Sequence, residues 1–245
     1  MSSQPELIIA LDVPSLHAAE AAVARLPEDV RWFKVGLELF TAEGPKVVRR
    51  LIQRQHRVFL DLKLHDIPRT VARSVRSAVA LGVELLTVHA AGGRAMIEAA
   101  VQEAHAATPR ARIVAVTVLT SLDETDLRAQ GITRSPSDQV LALGELALRA
   151  GADGLVCSVH EAAMLRRCFG PEILLVTPGI RRPDEAVGDQ KRVATPATAV
   201  RAGASHIVVG RPILEAPDPG RAAHEILAEL RSAFAGGTSA TRGTS

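Results

Sequence analysis

The chain has 245 residues, 47% of them hydrophobic, and 29 Lys and Arg against 27 Asp and Glu for a formal net charge of +2. That is enough apolar material for one larger packed domain, and the interspersed charge leaves no nucleic-acid footprint. At 2% aromatic content the chain also lacks the rings of a single-strand stacking platform. No apolar run approaches a membrane span, and the first one, Leu7–Leu11, is too short for a signal core and has no basic region ahead of it. Cys157 and Cys168 have no metal-ligand spacing. The expectation is a cytoplasmic domain with free thiols.

Strand-like and helix-like runs alternate along the chain. Leu7–Leu11 is a continuous apolar run ending at Asp12, and Ala18–Leu26 is an amphipathic helix pattern. Trp32–Val35 is the second strand, with a helix within Pro45–Gln55, and Val58–Lys63 the third, backed by Val71–Leu81. Pro68 biases Ile67 away from the helical region and is tolerated in a first turn, so this helix should begin at about Pro68. Leu85–His89 and Ala95–Ala106 follow, then Ile113–Leu119, Val140–Arg149, Gly154–Cys157, Glu161–Phe169 and Ile173–Thr177. Ala197–Ala202, Ile207–Gly210 and Arg221–Phe234 complete the alternation. Short apolar strands without alternation suit a parallel sheet covered on both faces. A doubly wound sheet would share that pattern, but eight β-then-α units in this length favour an α/β fold of the closed (β/α)8 TIM barrel type, a single domain over residues 1–235. The Gly/Ser/Thr-rich residues 236–245 are expected to form a flexible C-terminal tail.

In such a barrel the functional face lies at the C-terminal ends of the strands. Those ends carry Asp12, Lys34, Asp61, Lys63, His89, Thr120, Ser158, the Pro178-Gly179 turn and Gly210-Arg211. Each has a plainer reading: a snorkelling lysine at 34, a helix cap at 12, a turn residue at 120, a structural Gly-Arg turn at 210. Together they make a polar ring around one barrel mouth. Pro178-Gly179-Ile180-Arg181 and Gly210-Arg211-Pro212, after the seventh and eighth strands, are placed where barrels hold phosphate with backbone N–H groups and a basic side chain. The polar stretch Arg182–Arg192 between them has the character of a lid over a charged ligand.

The densest signal is Asp61-Leu62-Lys63-Leu64-His65-Asp66-Ile67-Pro68-Arg69-Thr70. In an extended chain Asp61 and Lys63 share a face, and Asp66 follows the turn, so opposite charges gather at one strand end, where burial requires each to be paired. Read whole, this block resembles the signature of the orotidine 5′-phosphate decarboxylase family. Ala10-Leu11-Asp12, Phe33-Lys34-Val35-Gly36, Thr117–Ser121, Thr177–Arg181, Gly188-Asp189-Gln190 and Gly210-Arg211-Pro212 look like that family's other motifs in order and spacing, in its common bacterial form.

The resemblance implies decarboxylation of orotidine 5′-monophosphate to uridine 5′-monophosphate, the last step of de novo UMP synthesis, with no cofactor and no metal. It implies a homodimer with shared active sites and neither nucleic-acid nor membrane partners. Asp12 and Lys34 would contact the ribose hydroxyls and the reaction centre. Asp61 and Lys63 would be catalytic, joined by Asp66 from the partner subunit, and Thr70 would reach across to the ribose. Thr120, or Ser121 beside it, would border the pyrimidine, and Arg181, Gln190, Gly210 and Arg211 would hold the phosphate. Removing CO2 from C6 leaves a carbanion that no ring carbonyl delocalises well, so the protein must supply a fixed cation and a proton there, as Lys63 can. Two alternatives remain. A Mg2+-dependent sugar-phosphate decarboxylase or aldolase of the same superfamily would need a carboxylate at the end of strand two, where this chain has Lys34. A non-catalytic phosphate-ligand binder would not need the charged quartet.

Overall fold

The computed structural model describes residues 4–181 and 194–240. Its elements are β1 (Glu6–Ala10), α1 (Leu16–Ala24), β2 (Trp32–Gly36), α2 (Leu37–Glu43), α3 (Pro45–Gln53), β3 (Arg57–Leu64), α4 (Pro68–Val79), β4 (Leu85–His89), α5 (Arg94–Ala106) and β5 (Arg112–Val116). They continue with α6 (Glu124–Ala129), α7 (Pro136–Arg149), β6 (Gly154–Val156), α8 (Val159–Phe169), β7 (Leu174–Thr177), α9 (Pro196–Arg201), β8 (His206–Val209), α10 (Arg211–Leu214) and α11 (Pro219–Ala240). The strands pair in sequence order, all parallel, and β8 closes on β1, so the expected (β/α)8 barrel is what forms.

Side-chain parity sorts the strands into two apolar sets. Leu7, Ile9, Phe33, Val35, Val58, Leu60, Leu86 and Val88 pack outward under the helices. Ile8, Ala10, Trp32, Phe59, Leu85, Val114, Val176 and Val208 form a separate cluster that fills the barrel. Gly154 permits the β6–β7 approach: a Cβ there would meet the Leu174 carbonyl oxygen at 2.2 Å. α4 begins at Pro68, as the proline required, and the helices α2, α6 and α10 are additions to the alternating pattern. They are short segments inside loops, and α6 is started by a local device, Asp123 and Asp126 capping each other's backbone N–H groups. α11 runs to Ala240, past the Gly236 at which the tail was expected to begin; residues 241–245 lie outside the described residues. Among the described residues no helix is long and apolar enough to cross a membrane.

The N-terminal end of the barrel is closed by charge. The Arg57 guanidinium lies 4.0 Å over the Trp32 ring and donates to Glu84 at 2.7 Å and to Glu6 at 3.1 Å. Glu6 also accepts from the Trp32 indole and has His206 Nε2 3.6 Å away. Bonding to His206, then the Arg57 charge and the Trp32 N–H, outweighs burial and holds the Glu6 carboxyl down at about 2. A carboxylate depressed below its ordinary 4.5 stabilises the fold above that value, and the contribution is lost as pH falls through 4.5 towards 2. Glu6→Gln should therefore lower the urea midpoint at pH 6, and its deficit against wild type should shrink steadily below pH 4.5. A deficit independent of pH would show that the carboxylate charge contributes nothing to stability.

Candidate active site

Continuing the inward parity of each strand one step past the apolar cluster gives the polar mouth. After Ala10 comes Asp12, after Trp32 comes Lys34, after Phe59 comes Asp61, after Leu85 comes Thr87 and after Val208 comes Gly210. A cavity of ≈ 590 Å³ opens at this end, floored by Phe59, Val116, Val156, Val176 and Val208.

Along one wall the charges alternate. Lys34 Nζ donates to Asp12 Oδ1 at 2.9 Å and lies 3.7 Å from Asp61 Oδ2, while Lys63 Nζ donates to that same Asp61 oxygen at 2.8 Å. Lys34 and Asp61 are only 9% and 8% exposed, a depth at which an unpaired ion costs several kcal/mol. The order acid, base, acid, base pairs each buried charge with a neighbour. Gly36 makes room for it, because a Cβ there would lie 2.7 Å from Lys34 Nζ and 3.3 Å from Asp12 Oδ1.

Asp61 and Lys63 meet, though not through regular strand geometry. The β3–β4 register jumps between Leu60↔Leu86 and Leu64↔Val88, leaving Asp61, Leu62 and Lys63 opposite Thr87 alone, and Lys63 has φ +50°. This is an extended bulge, a device that re-aims side chains at a barrel rim. The buried Thr87 hydroxyl accepts from the Lys63 N–H at 2.8 Å and donates to Asp61 Oδ1 at 3.0 Å. Thr87 was not among the sequence candidates. Its signal is inward parity combined with being the only polar residue between Leu85 and Val88.

The loops after β7 and β8 add Gly179, Arg181, Gly210 and Arg211 to the cavity lining, and a Cβ on Gly210 would lie 3.6 Å from Asp12 Oδ2. Gly179 has φ +79°, which glycine adopts without strain, and turns the chain after β7. The Arg181 N–H donates to the Ala194 carbonyl at 2.9 Å, so the two stems of the intervening loop are tied together. The loop itself, with Gly188, Asp189, Gln190 and the expected lid over Arg182–Arg192, lies outside the described residues apart from its stems.

Thr120 lines the cavity and Ser121 is not among its lining residues. β5 ends at Val116, not Leu119, so Thr120 belongs to the following loop and not to a strand end. Ser158 leaves the ring too: its backbone N–H and hydroxyl both donate to the Glu161 carboxylate, capping α8. His89 stacks tilted on His65 with ring centroids 5.4 Å apart. Burial, then the neighbouring His65 and Lys63 side chains, push its pKa below the ordinary imidazole value. Glu38 and Glu215, which carried no sequence signal, also line the cavity.

Asp66 does not join the cluster within its own chain. It is exposed, its Oδ1 accepts from the Ile67 N–H at 2.7 Å, and neither it nor the exposed Thr70 lines the cavity. The expectation of an Asp-Lys-Asp group around one strand end is thus corrected for the single chain: the turn at Asp66-Ile67 carries the second carboxylate away from Lys63.

Comparison with known proteins agrees with this geometry. The model of the orotidine 5'-phosphate decarboxylase / HUMPS family matches residues 5–226. The chain belongs to that family. It is 54% identical over 230 residues to the orotidine 5'-phosphate decarboxylase of Anaeromyxobacter sp. (strain K), covering 94% of this chain and all of the relative. It is 52% identical over 236 residues to that of Moorella thermoacetica (strain ATCC 39073 / JCM 9320), with 94% of each covered. Among solved structures, the crystal structure of orotidine 5'-phosphate decarboxylase from Lactobacillus acidophilus superposes with a TM-score of 0.83 at 40% identity, covering 93% of this chain and 99% of that one.

Within this family member the contact between Gly36 and Lys34 is open to a direct check. The clash introduced by Gly36→Ala falls on the end of the Lys34 side chain and displaces its ammonium from Asp12 and Asp61, so the melting temperature should fall by several degrees, roughly, as that buried pairing loosens. Turnover should fall by about tenfold or more. Unchanged turnover would mean that the placement of the Lys34 ammonium has no part in the reaction.

Proposed function

We infer that the chain decarboxylates orotidine 5′-monophosphate to uridine 5′-monophosphate, the last step of de novo UMP synthesis, without a cofactor. The observation that carries the reading is the alternating Asp12, Lys34, Asp61, Lys63 wall of a cavity that Arg181 and Arg211 also line. That wall is electroneutral and internally paired, so its dipoles are fixed before substrate arrives, the condition under which electrostatic stabilisation costs no reorganisation.

The residues divide the work by position. Arg181, Gly210 and Arg211, with Gln190, hold the phosphate, the two guanidinium groups being suited to bidentate contact with its oxygens. Asp12 and Lys34 take the ribose hydroxyls, and Thr120 borders the pyrimidine. When the C6–carboxylate bond breaks, the electron pair stays on C6 and CO2 departs. The Lys63 ammonium stabilises that pair and then transfers a proton to it, leaving UMP and a neutral amine that water reprotonates. A fixed cation of this kind contributes about 3 kcal/mol or more to the transition state. Asp61, beside the departing carboxylate, holds Lys63 in place and adds a smaller repulsive contribution.

The magnesium-dependent reading of the superfamily is disfavoured by what fills the end of β2. The Lys34 ammonium sits between the Asp12 and Asp61 carboxylates, where a divalent ion would have to displace it.

A cytoplasmic two-fold dimer completes the proposal, with Asp66 and Thr70 serving the neighbouring subunit's cavity. Supporting it, both lie outside the cavity of their own chain and flank Ile67, a large apolar side chain left 66% exposed.

Loss of the substrate's absorbance on incubation of orotidine 5′-monophosphate with the protein in EDTA tests the reaction. Turnover should persist under chelation; none with or without metal would refute the activity, and turnover abolished by EDTA would return the metal-dependent reading. Mixing Lys63→Ala with Asp66→Asn subunits tests the shared site. Random exchange makes about half the dimers mixed, each with one native site, so activity should recover to about a quarter of wild type. If exchange is confirmed by intact-dimer mass spectrometry and activity stays at the parental level, Asp66 acts within its own chain.

A further inference from the structure

We propose that Thr87 is a positioning residue for the decarboxylation, its single hydroxyl setting the relative placement of Asp61 and Lys63. The proposal rests on the reaction inferred above and extends it to a residue that does not touch the substrate.

The need for such a residue arises from the bulge. Three residues of β3, Asp61 to Lys63, face one residue of β4, and Lys63 takes a left-handed backbone conformation that residues other than glycine rarely adopt. A backbone shaped in this way loses its ladder partner: the Lys63 N–H points at a side chain, the Thr87 oxygen at 2.8 Å, instead of a β4 carbonyl. The same oxygen donates its proton to Asp61 Oδ1 at 3.0 Å. The hydroxyl thereby clamps the main chain of one catalytic residue to the carboxylate of the other. Asp61's second oxygen, Oδ2, remains turned to the two ammonium groups, Lys63 Nζ at 2.8 Å and Lys34 Nζ at 3.7 Å.

Other buried threonines in the barrel show what an ordinary structural hydroxyl does here. Thr117 Oγ1 donates to the Val156 carbonyl at 3.0 Å and Thr177 Oγ1 to the His206 carbonyl at 3.2 Å, each tying a strand to its neighbour's main chain. Thr87, with no exposed surface, instead joins two members of the charged wall. Hydroxyl chemistry suits the task, because one atom can accept from an amide and donate to a carboxylate at once. A valine keeps the volume and the β-branched shape but can do neither.

The test compares Thr87→Val and Thr87→Ser with wild type for kcat and KM on orotidine 5′-monophosphate, affinity for UMP, and melting temperature. Thr87→Val should lose about tenfold or more in kcat while KM and UMP affinity stay within about threefold, because phosphate and ribose contacts are untouched. Thr87→Ser, which restores the hydroxyl, should return to within about threefold of the wild-type kcat. Should Thr87→Val fail to fold, Thr87→Cys, of similar size with a weakly bonding thiol, takes its place with the same expected loss in kcat. Wild-type kcat in the variant lacking the hydroxyl would overturn the proposal. So would equal losses in kcat, UMP affinity and melting temperature with no rescue by serine, the pattern of a merely structural residue. Absence of turnover by wild type itself would overturn the inferred reaction instead, so the two failures are distinguishable.

Discussion

Asp61 is the carboxylate on which the site depends. It sits 8% exposed at the start of the β3 bulge, accepts from Lys63 and Thr87, and has the Lys34 ammonium 3.7 Å away. A carboxylate at that depth is tolerated only while it is compensated, and each of its partners is held in turn. Lys34 is shared with Asp12 and given space by Gly36, and Lys63 is fixed through its own backbone by Thr87. Removing one member leaves another charge buried and unpaired, which is the costly state. The same coupling makes the wall an effective electrostatic device, since its charges cannot relax away from the reacting atom.

The barrel exists to supply that geometry. Inward parity of the strands stacks an apolar plug below and brings polar residues from β1, β2, β3 and β4 to the same height above it. The plug is capped at the other end by the Glu6–Arg57–Glu84 ion pairs over Trp32, so the two ends of the barrel are polar for different reasons. At the N-terminal end the charges satisfy one another and close the fold. At the C-terminal end they satisfy one another around an opening, and the loops after β7 and β8 add arginines to its lining.

Much of this was legible in the sequence because it follows from period and punctuation. Apolar runs bounded by polar residues gave the strands, Pro68 placed the start of α4, and reading the polar residues at the C-terminal ends of those runs identified Asp12, Lys34 and Asp61. What escaped was set by tertiary geometry. Inward parity marks the position of Thr87, but only the bulge opposite it decides where its hydroxyl points. Asp61 and Lys63 were expected on one face from strand alternation, and they do meet, but the register shift and the left-handed Lys63 are what bring the ammonium onto Asp61. Asp66 could not be placed from spacing alone, since three residues from Lys63 a turn can face either way. Thr120 was assigned to a strand end because Val118 and Leu119 prolong the apolar pattern beyond Val116, where the pairing stops.

The central claim is that Lys63 stabilises negative charge at C6 and delivers the proton there. Run backwards, that proton transfer removes hydrogen from C6 of the product, so the protein should exchange the C6 hydrogen of UMP for deuterium in D2O, followed by proton NMR. Wild type at saturating UMP should exchange faster than Lys63→Ala by about a hundredfold or more, the loss expected for one well-placed electrostatic group. Equal exchange rates in the two proteins, with UMP shown to be bound to both, would contradict the assignment of Lys63 as the group that faces the carbanion.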